Sequence, residues 1–168
     1  MTNDIDQYLS SLLSFTPCRK RNNRFSGDYV SLIHVPENGP EQVYSVVFND
    51  DSNVLTLARY CSTVWELLED CELVGSDDRS PEVDVLQTKV KPDHPVFNFL
   101  NRSLLQECQD HSDGERGMDY YMLMWQKDGQ GSVAECWEPY GRNDFNWMAL
   151  VGSMELLASQ FEYAATAS

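Results

Sequence analysis

Residue types that commonly perform catalysis are sparse in this sequence, and histidine is the first example. The chain has 3 histidines, and a general base or a metal site usually recruits histidine together with an oriented partner. His34 lies within an apolar run that is typical of a packed strand. His94 precedes Pro95 at a predicted helix start, where Asp93 or His94 would cap free backbone amides. His111 is therefore the histidine that remains available for chemistry.

The surroundings of His111 offer ligands for a divalent ion. Asp110, Asp113 and Glu115 are its neighbours in the stretch "QDHSDGERG". The spacing differs from that of an EF-hand loop, in which glycine follows alternating oxygen ligands at fixed positions. A surface loop is the simpler interpretation, so we predict no metal site.

The cysteines show no pattern of a metal or redox site. Their number is odd and no C-x-x-C pair occurs, so we expect reduced and mostly buried thiols. A cysteine nucleophile would need a nearby histidine that only the fold can supply. The motifs of serine hydrolases, zinc proteases and nucleotide-binding loops are absent from the sequence. We therefore predict that the chain is not an enzyme and needs no cofactor. The cysteines are Cys18, Cys61, Cys71, Cys108 and Cys136.

An aromatic cluster occupies the last third of the chain. Its side chains could line a ligand pocket, but a hairpin packed on a helix would use the same residues as core, and we predict core. The cluster comprises Tyr120, Tyr121, Trp125, Trp137, Tyr140, Phe145 and Trp147.

The most unusual feature is a crowd of acids in residues 64–84, "VWELLEDCELVGSDDRSPEVD", which holds eight acids and one base. Carboxylates in the last turn of a helix are repelled by the helix dipole by about 0.3–1 kcal/mol each when exposed. Because helix stability does not favour them there, we predict that the acids form a partner-binding surface; a solvated surface that serves solubility is the alternative. Glu66 and Asp70, four positions apart on a helix, also repel each other, whereas the acids from Asp77 onward are predicted to lie in a loop. The predicted partner-binding residues are Glu66, Glu69, Asp70, Glu72, Asp77, Asp78, Glu82 and Asp84.

Composition limits the class of partner. The 168 residues are 42% hydrophobic, which suits one domain with one core. A formal net charge of -15 repels the phosphates that a nucleic-acid binder must neutralise. We predict a protein partner and no direct nucleic-acid ligand.

The first residues carry no targeting signal. The stretch "MTNDIDQYLSSLLSF" has acids where a signal peptide needs bases, and serines interrupt it too often for a membrane span. We predict a cytoplasmic protein that does not enter a membrane.

Hydrophobic periodicity predicts the elements of the first half. Residues 4–15 have helical spacing, and two alternating runs at 29–35 and 42–48 flank a Pro/Asn/Gly turn and predict a hairpin. Residues 53–72 fit either a strand followed by a helix or one continuous helix. In both interpretations residues 62–72 are helical.

The second half repeats the pattern of strands followed by a helix. Residues 83–90 predict a short strand, and Pro95 starts a helix that runs to about residue 109. Two further runs flank "KDGQG" and predict a second hairpin. A long amphipathic helix follows Asn143, and Gly152 within it suggests a close contact.

These elements predict an α+β fold in one domain over residues 1–168. An antiparallel sheet of about five strands, built from two hairpins, would be packed by N-terminal, central and long C-terminal amphipathic helices. Residues 62–93 would form an acidic insertion within this domain.

Four segments resemble the small acidic class I type of type III secretion chaperones. They are "VYSVVFNDDSNVLTLARY", "PVFNFLNRSLLQ", "YYMLMWQKDGQGSVAECWEP" and "DFNWMALVGSMELLASQFEYAA". The resemblance implies a helix, three antiparallel strands, a helix, two strands and a final helix in a subunit that is commonly a homodimer. It requires "SNVLTLARY" to be a strand, and residues 62–93 depart from it by their length.

Two functions from different classes are expected. The resemblance implies a non-enzymatic chaperone that holds a disordered segment of a secreted protein on exposed apolar surface. The alternative is an immunity protein or antitoxin that inhibits a basic enzyme, such as a nuclease, by occupying its site with acids. The inhibitor predicts a continuous acidic face rather than one patch.

Overall fold

A computed structural model describes residues 10–18, 25–64, 82–111, 113–114 and 118–166, with the backbone alone for 163–166. Six strands and two α-helices are present in these ranges, with a helical turn at residues 10–13 and a 3-10 helix at Pro95–Asn98. The strands are β1 (Tyr29–Val35), β2 (Gln42–Val47), β3 (Asn53–Tyr60), β4 (Val83–Val90), β5 (Tyr120–Lys127) and β6 (Gln130–Trp137). The helices are α1 (Arg102–Glu107) and α2 (Phe145–Thr166).

The strands form one sheet in the order β4-β3-β2-β1-β5-β6, and every neighbouring pair is antiparallel. β1 to β4 follow one another as a meander, and the β5–β6 hairpin joins the sheet by pairing β5 with β1. The predicted α+β class is confirmed. The sheet has six strands rather than about five, because β4 pairs with β3 along its whole length.

Both faces of the sheet are covered, since apolar residues point alternately to two layers. In β1, Val30 and Leu32 join the larger core under α2, while Ile33 joins a smaller core with Leu12 and Leu13 on the other face. Burial of one such side chain stabilises the fold by about 1.5–3 kcal/mol. The α2 residues in the larger core are no more than 1% exposed: Trp147, Leu150, Val151, Met154, Leu157 and Ala158.

The two predicted hairpins are confirmed. The turn between β5 and β6 consists of Asp128 and Gly129, with φ values of 51° and 74°. Both residues of such a two-residue turn need positive φ, which Asp-Gly tolerates. The predicted strand at residues 83–90 is also present, as β4.

The alternatives for residues 53–72 are resolved in part. Residues 53–60 form strand β3 because this segment pairs with β2 on one side and β4 on the other. A continuous helix is therefore excluded. Residues 62 and 63 are not helical, so this part of the predicted helix at 62–72 is wrong, whereas Val64 is helical. Residues 65–72 lie outside the described residues, as does most of the predicted first helix.

Two helix predictions need correction. The single helix from Pro95 to residue 109 is divided, because the Asn101 side chain accepts a hydrogen bond from the Leu104 amide at 3.0 Å and starts α1 anew. Gly152 makes no close approach, because a Cβ built there would meet nothing within 4 Å.

The aromatic residues divide between core and surface. Tyr121, Trp125 and Trp147 are buried as predicted. Phe145 and Tyr140 are 77% and 47% exposed, so the core prediction is wrong for these two. Phe145 is the first residue of α2 and lies outside the apolar stripe that begins at Trp147.

Candidate partner-binding surface

Two of the eight predicted acids lie within the described residues. Glu82 directly precedes β4 and Asp84 is its second residue, and both are exposed. Asp84 falls within both the predicted acidic loop and the predicted strand at 83–90. The strand is confirmed and the loop is wrong for this residue, because it pairs with Arg59 in the β3–β4 ladder. The other six lie outside the described residues: Glu66, Glu69, Asp70, Glu72, Asp77 and Asp78.

The charges of Glu82 and Asp84 act on a neighbouring thiol. Cys61 donates its backbone N–H to the Glu82 carbonyl at 2.9 Å. Desolvation first, and then the carboxylates of Asp84 and Glu82, raise the pKa of the Cys61 thiol, while a backbone hydrogen bond near Asp84 lowers it. Cys61 is exposed, so the pKa of its thiol is a measure of the negative potential at this corner of the sheet.

A groove of about 210 Å³ opens beside these acids. It lies where β3, β4 and the end of α2 meet. Leu86 is partly exposed and supplies apolar surface, Leu57 lies buried beside it, and the exposed Asp84 also lines the groove. Arg59 Nη1 and Glu162 Oε1 form an ion pair of 2.5 Å across it. The groove thus combines apolar area with charged side chains that fix orientation.

Acids outside the predicted stretch also lie beyond this groove, on α2 and directly before β5. Burial and the charge of Asp119 raise the pKa of Glu155. Burial, followed by the charge of Glu155, raises the pKa of Tyr44 to about 12, while Arg59 lowers it. Asp119 and Glu155 therefore extend the negative field beyond the predicted stretch, whereas the charge of Glu162 is paired with Arg59.

The sequence contained a signal for only part of this extension. Glu155 and Glu162 are seven positions apart, a spacing that places both on one side of a helix. Asp119 acts on Glu155 because β5 pairs with β1 in the sheet, which no local pattern reveals.

His34 is a packed side chain, as predicted. Its ring stacks on Tyr121 at a centroid distance of 4.3 Å. Nε2 is buried without a hydrogen-bond partner in the described part of the chain, and Asp119 Oδ1 lies 3.5 Å away. Burial lowers the pKa of His34, opposed by the charge of Asp119, so the ring is neutral at neutral pH.

His111 is fixed by structural contacts. Its Nε2 lies 2.8 Å from Asp144 Oδ2. Asp144 Oδ1 accepts hydrogen bonds from the amides of Asn146 and Trp147, each at 3.1 Å, and thereby caps α2. The His111 backbone bonds to both Glu135 and Trp137 of β6. The pair joins the sheet edge to the start of α2.

The acids that surround His111 have other partners. Asp110 Oδ1 accepts the Glu135 amide at 2.8 Å, and Asp113 Oδ1 accepts from Arg142 Nη2 at 2.7 Å. Glu115 lies outside the described residues. Within the described residues, no group of three or more His, Cys, Asp or Glu is placed to hold a metal ion.

The thiols close to this pair are not activated. Burial raises the pKa of Cys108 and of Cys136 to about 12, and Asp144 adds to both. A nucleophilic cysteine needs the opposite shift. Both thiols are therefore protonated at neutral pH.

A larger depression of about 480 Å³ lies at the opposite end of the sheet. It surrounds the β5–β6 turn, and Gly129, Gly131, Gln106 and Gln130 supply much of its lining. It holds none of the predicted acids.

Comparisons with protein-family models, with curated proteins and with solved structures found no match for this chain. Among the helices that the structure describes, none combines the length and the apolar character of a membrane span.

Proposed function

We propose that the chain is a non-enzymatic acidic domain that holds a segment of a partner protein, in the manner of a secretion chaperone. The observation that carries the proposal is the groove between β3, β4 and α2, with Asp84 in its lining. An apolar side chain of an extended segment would pack on the partly exposed Leu86, beside the buried Leu57. A basic residue of the same segment would contact Asp84 and Glu82.

The order of the elements supports this proposal. Three strands, a helical region, two strands and a final helix follow one another as the resemblance to type III secretion chaperones implies. Residues 53–60 form the strand that the resemblance requires. β4 is an additional strand within the acidic insertion.

The cysteines support a cytoplasmic location. The four cysteines within the described residues are free thiols, and free thiols persist where the compartment is reducing. The proposed partner therefore meets this domain before export.

The test is affinity purification from the native cell with the wild-type chain and two charge variants. Glu82→Lys/Asp84→Lys reverses charge beside the groove. Asp50→Lys/Asp51→Lys makes the same change on the exposed β2–β3 turn, at the far end of β3, and serves as the control. Mass spectrometry should find a partner with wild type and control, and about tenfold less of it with the groove variant.

A chaperone partner should show a further property. Its bound segment should be protected from proteolysis while the same segment alone is digested. A partner retained equally by all three chains would contradict a role for the groove.

The second candidate is an inhibitor of a basic enzyme. It is favoured by acids beyond the groove, since the charge of Asp119 before β5 acts on Glu155 of α2. Glu155→Lys should weaken the complex with a folded basic enzyme and restore that enzyme's activity. The same change should leave a segment held in the groove in place, because Glu155 does not line it.

A further inference from the structure

The outer edge of β4 carries backbone groups that point away from the sheet. In the described part of the chain β4 pairs with β3 alone. The Cys61 amide donates to the Glu82 carbonyl, so even-numbered residues from 82 onward bond to β3 in the alternating antiparallel pattern. The odd-numbered residues of β4 therefore direct N–H and C=O groups outward, as a template for another strand. They are Val83, Val85, Gln87 and Lys89.

The charges of this edge are separated by sign. Glu82 and Asp84 are exposed at one end, and Lys89 and Lys91 are exposed at the other. Between them the strand is uncharged, and Val85 is 52% exposed. An antiparallel strand of the same sequence brings lysines beside acids, whereas a parallel one brings acids beside acids.

We propose that this edge binds a second copy of the chain, with the two β4 strands antiparallel and their sheets continuous. The two-fold axis stands perpendicular to the sheet, because only that axis makes identical strands antiparallel. With this axis, paired residues of the two β4 strands lie on the same face of the sheet only when one residue, such as Leu86, pairs with its own copy.

The register centred on Leu86 uses every outward-pointing residue of β4. Val83 pairs with Lys89 of the second copy, and Val85 pairs with Gln87. Leu86 meets its own copy at a non-hydrogen-bonded position, where strands approach to about 4.5 Å between Cα atoms. A shift to either side leaves a pair beyond the end of the strand.

The charges select the orientation rather than form direct ion pairs. Asp84 points to the α2 face, and Lys89 points to the other face. The carboxylates of one copy and the lysines of the other attract each other across the strand edge, within a Debye length of about 8 Å at physiological salt. The dimer places the two grooves side by side on one face of the continuous sheet. Dimer formation does not depend on whether a partner segment is bound in the grooves.

The backbone arm of the test uses Gln87. Sedimentation equilibrium of the full chain, from about 1 μM to about 300 μM at physiological salt, should show a monomer–dimer equilibrium. Gln87→Pro removes an outward N–H, which proline tolerates only at a free strand edge, and should weaken the dimer at least about tenfold. Gln87→Ala is the control, since both variants lose the contact from Gln87 Nε2 to Thr56 Oγ1 and only proline loses the donor.

The charge arm needs no change in the backbone. Glu82→Lys/Asp84→Lys makes the edge wholly basic, and Lys89→Glu/Lys91→Glu makes it wholly acidic. Each variant alone should associate more weakly than wild type, and an equimolar mixture should form a heterodimer about tenfold tighter than either homodimer.

Three results would overturn the inference: a monomer over the whole concentration range, a dimer that Gln87→Pro leaves unchanged while the variant keeps its circular dichroism spectrum, or a mixture no tighter than its components. A monomeric wild type would leave the proposed function standing, because the groove is complete within one chain.

Discussion

Substitutions at His111 and Asp144 test whether their contact stabilises the junction between the sheet edge and the start of α2. One carboxylate oxygen lies 2.8 Å from His111 Nε2, and the other accepts two amides at the start of α2. Asp144→Ala removes both functions. Loss of the cap costs about 1 kcal/mol and loss of the half-buried hydrogen bond about 1 kcal/mol, so the free energy of unfolding should fall by about 2 kcal/mol.

Two companion variants divide this loss. Asp144→Asn keeps an amide oxygen for the cap and should cost no more than about 1 kcal/mol, because asparagine caps as well as aspartate. His111→Ala removes only the hydrogen bond and should also cost about 1 kcal/mol. In the double variant His111→Ala/Asp144→Ala the two losses should overlap by about 1 kcal/mol.

Urea denaturation followed by tryptophan fluorescence measures these differences. Trp147 reports the corner, since it is fully buried and its Nε1 donates to the Gln109 carbonyl at 2.8 Å. The loss in Asp144→Ala corresponds to about 4–8 °C in Tm for a chain of this size. Full additivity of the two single variants, or an Asp144→Ala variant no less stable than His111→Ala, would refute the structural role.

Three further predictions concern the groove and the turns. Asp84→Asn should lower the pKa of the Cys61 thiol, because it removes a carboxylate that raises it; faster alkylation of Cys61 at pH 8 would agree, and an unchanged rate would not. Because the pKa of Tyr44 is raised to about 12 in the fold, from about 10 in the unfolded chain, its contribution to stability is complete below about pH 10 and is lost as the pH rises toward about 12. Tyr44→Phe should therefore flatten the fall of the unfolding free energy over that range, as denaturation at several pH values would measure; an equally steep fall would argue against Tyr44 as its source. Gly129 has φ of 74°, so Gly129→Ala should cost about 1 kcal/mol in thermal unfolding, and an unaltered Tm would mean that the turn adopts another conformation.

Most of the fold could be predicted because the patterns are local. Each of these patterns involves residues that are close in the sequence. They are the alternation in β1 and β2, the Asp-Gly turn of the second hairpin and the apolar stripe of α2. β3 could not be assigned, since its apolar residues fit both a helix and a strand. Pairing with β2 and β4 decided in favour of a strand.

Of the residues at the candidate site, the sequence predicted only the acids. Glu82 and Asp84 are exposed, as a binding role needs, but Asp84 lies in a strand. Leu57 and Arg59 of β3 and Glu162 of α2 are far in sequence from the acids at the start of β4. Their meeting depends on the pairing of β3 with β4 and on the packing of α2 across the sheet, neither of which a one-dimensional pattern encodes.

By itself the sequence determined the negative charge, the α+β class and the elements whose periodicity is strong. Only the tertiary structure decided that the end of the acidic stretch becomes an edge strand beside a groove. The physical reason is that periodicity records which face of an element is buried, whereas the neighbour of that element depends on pairing between residues far apart in the chain.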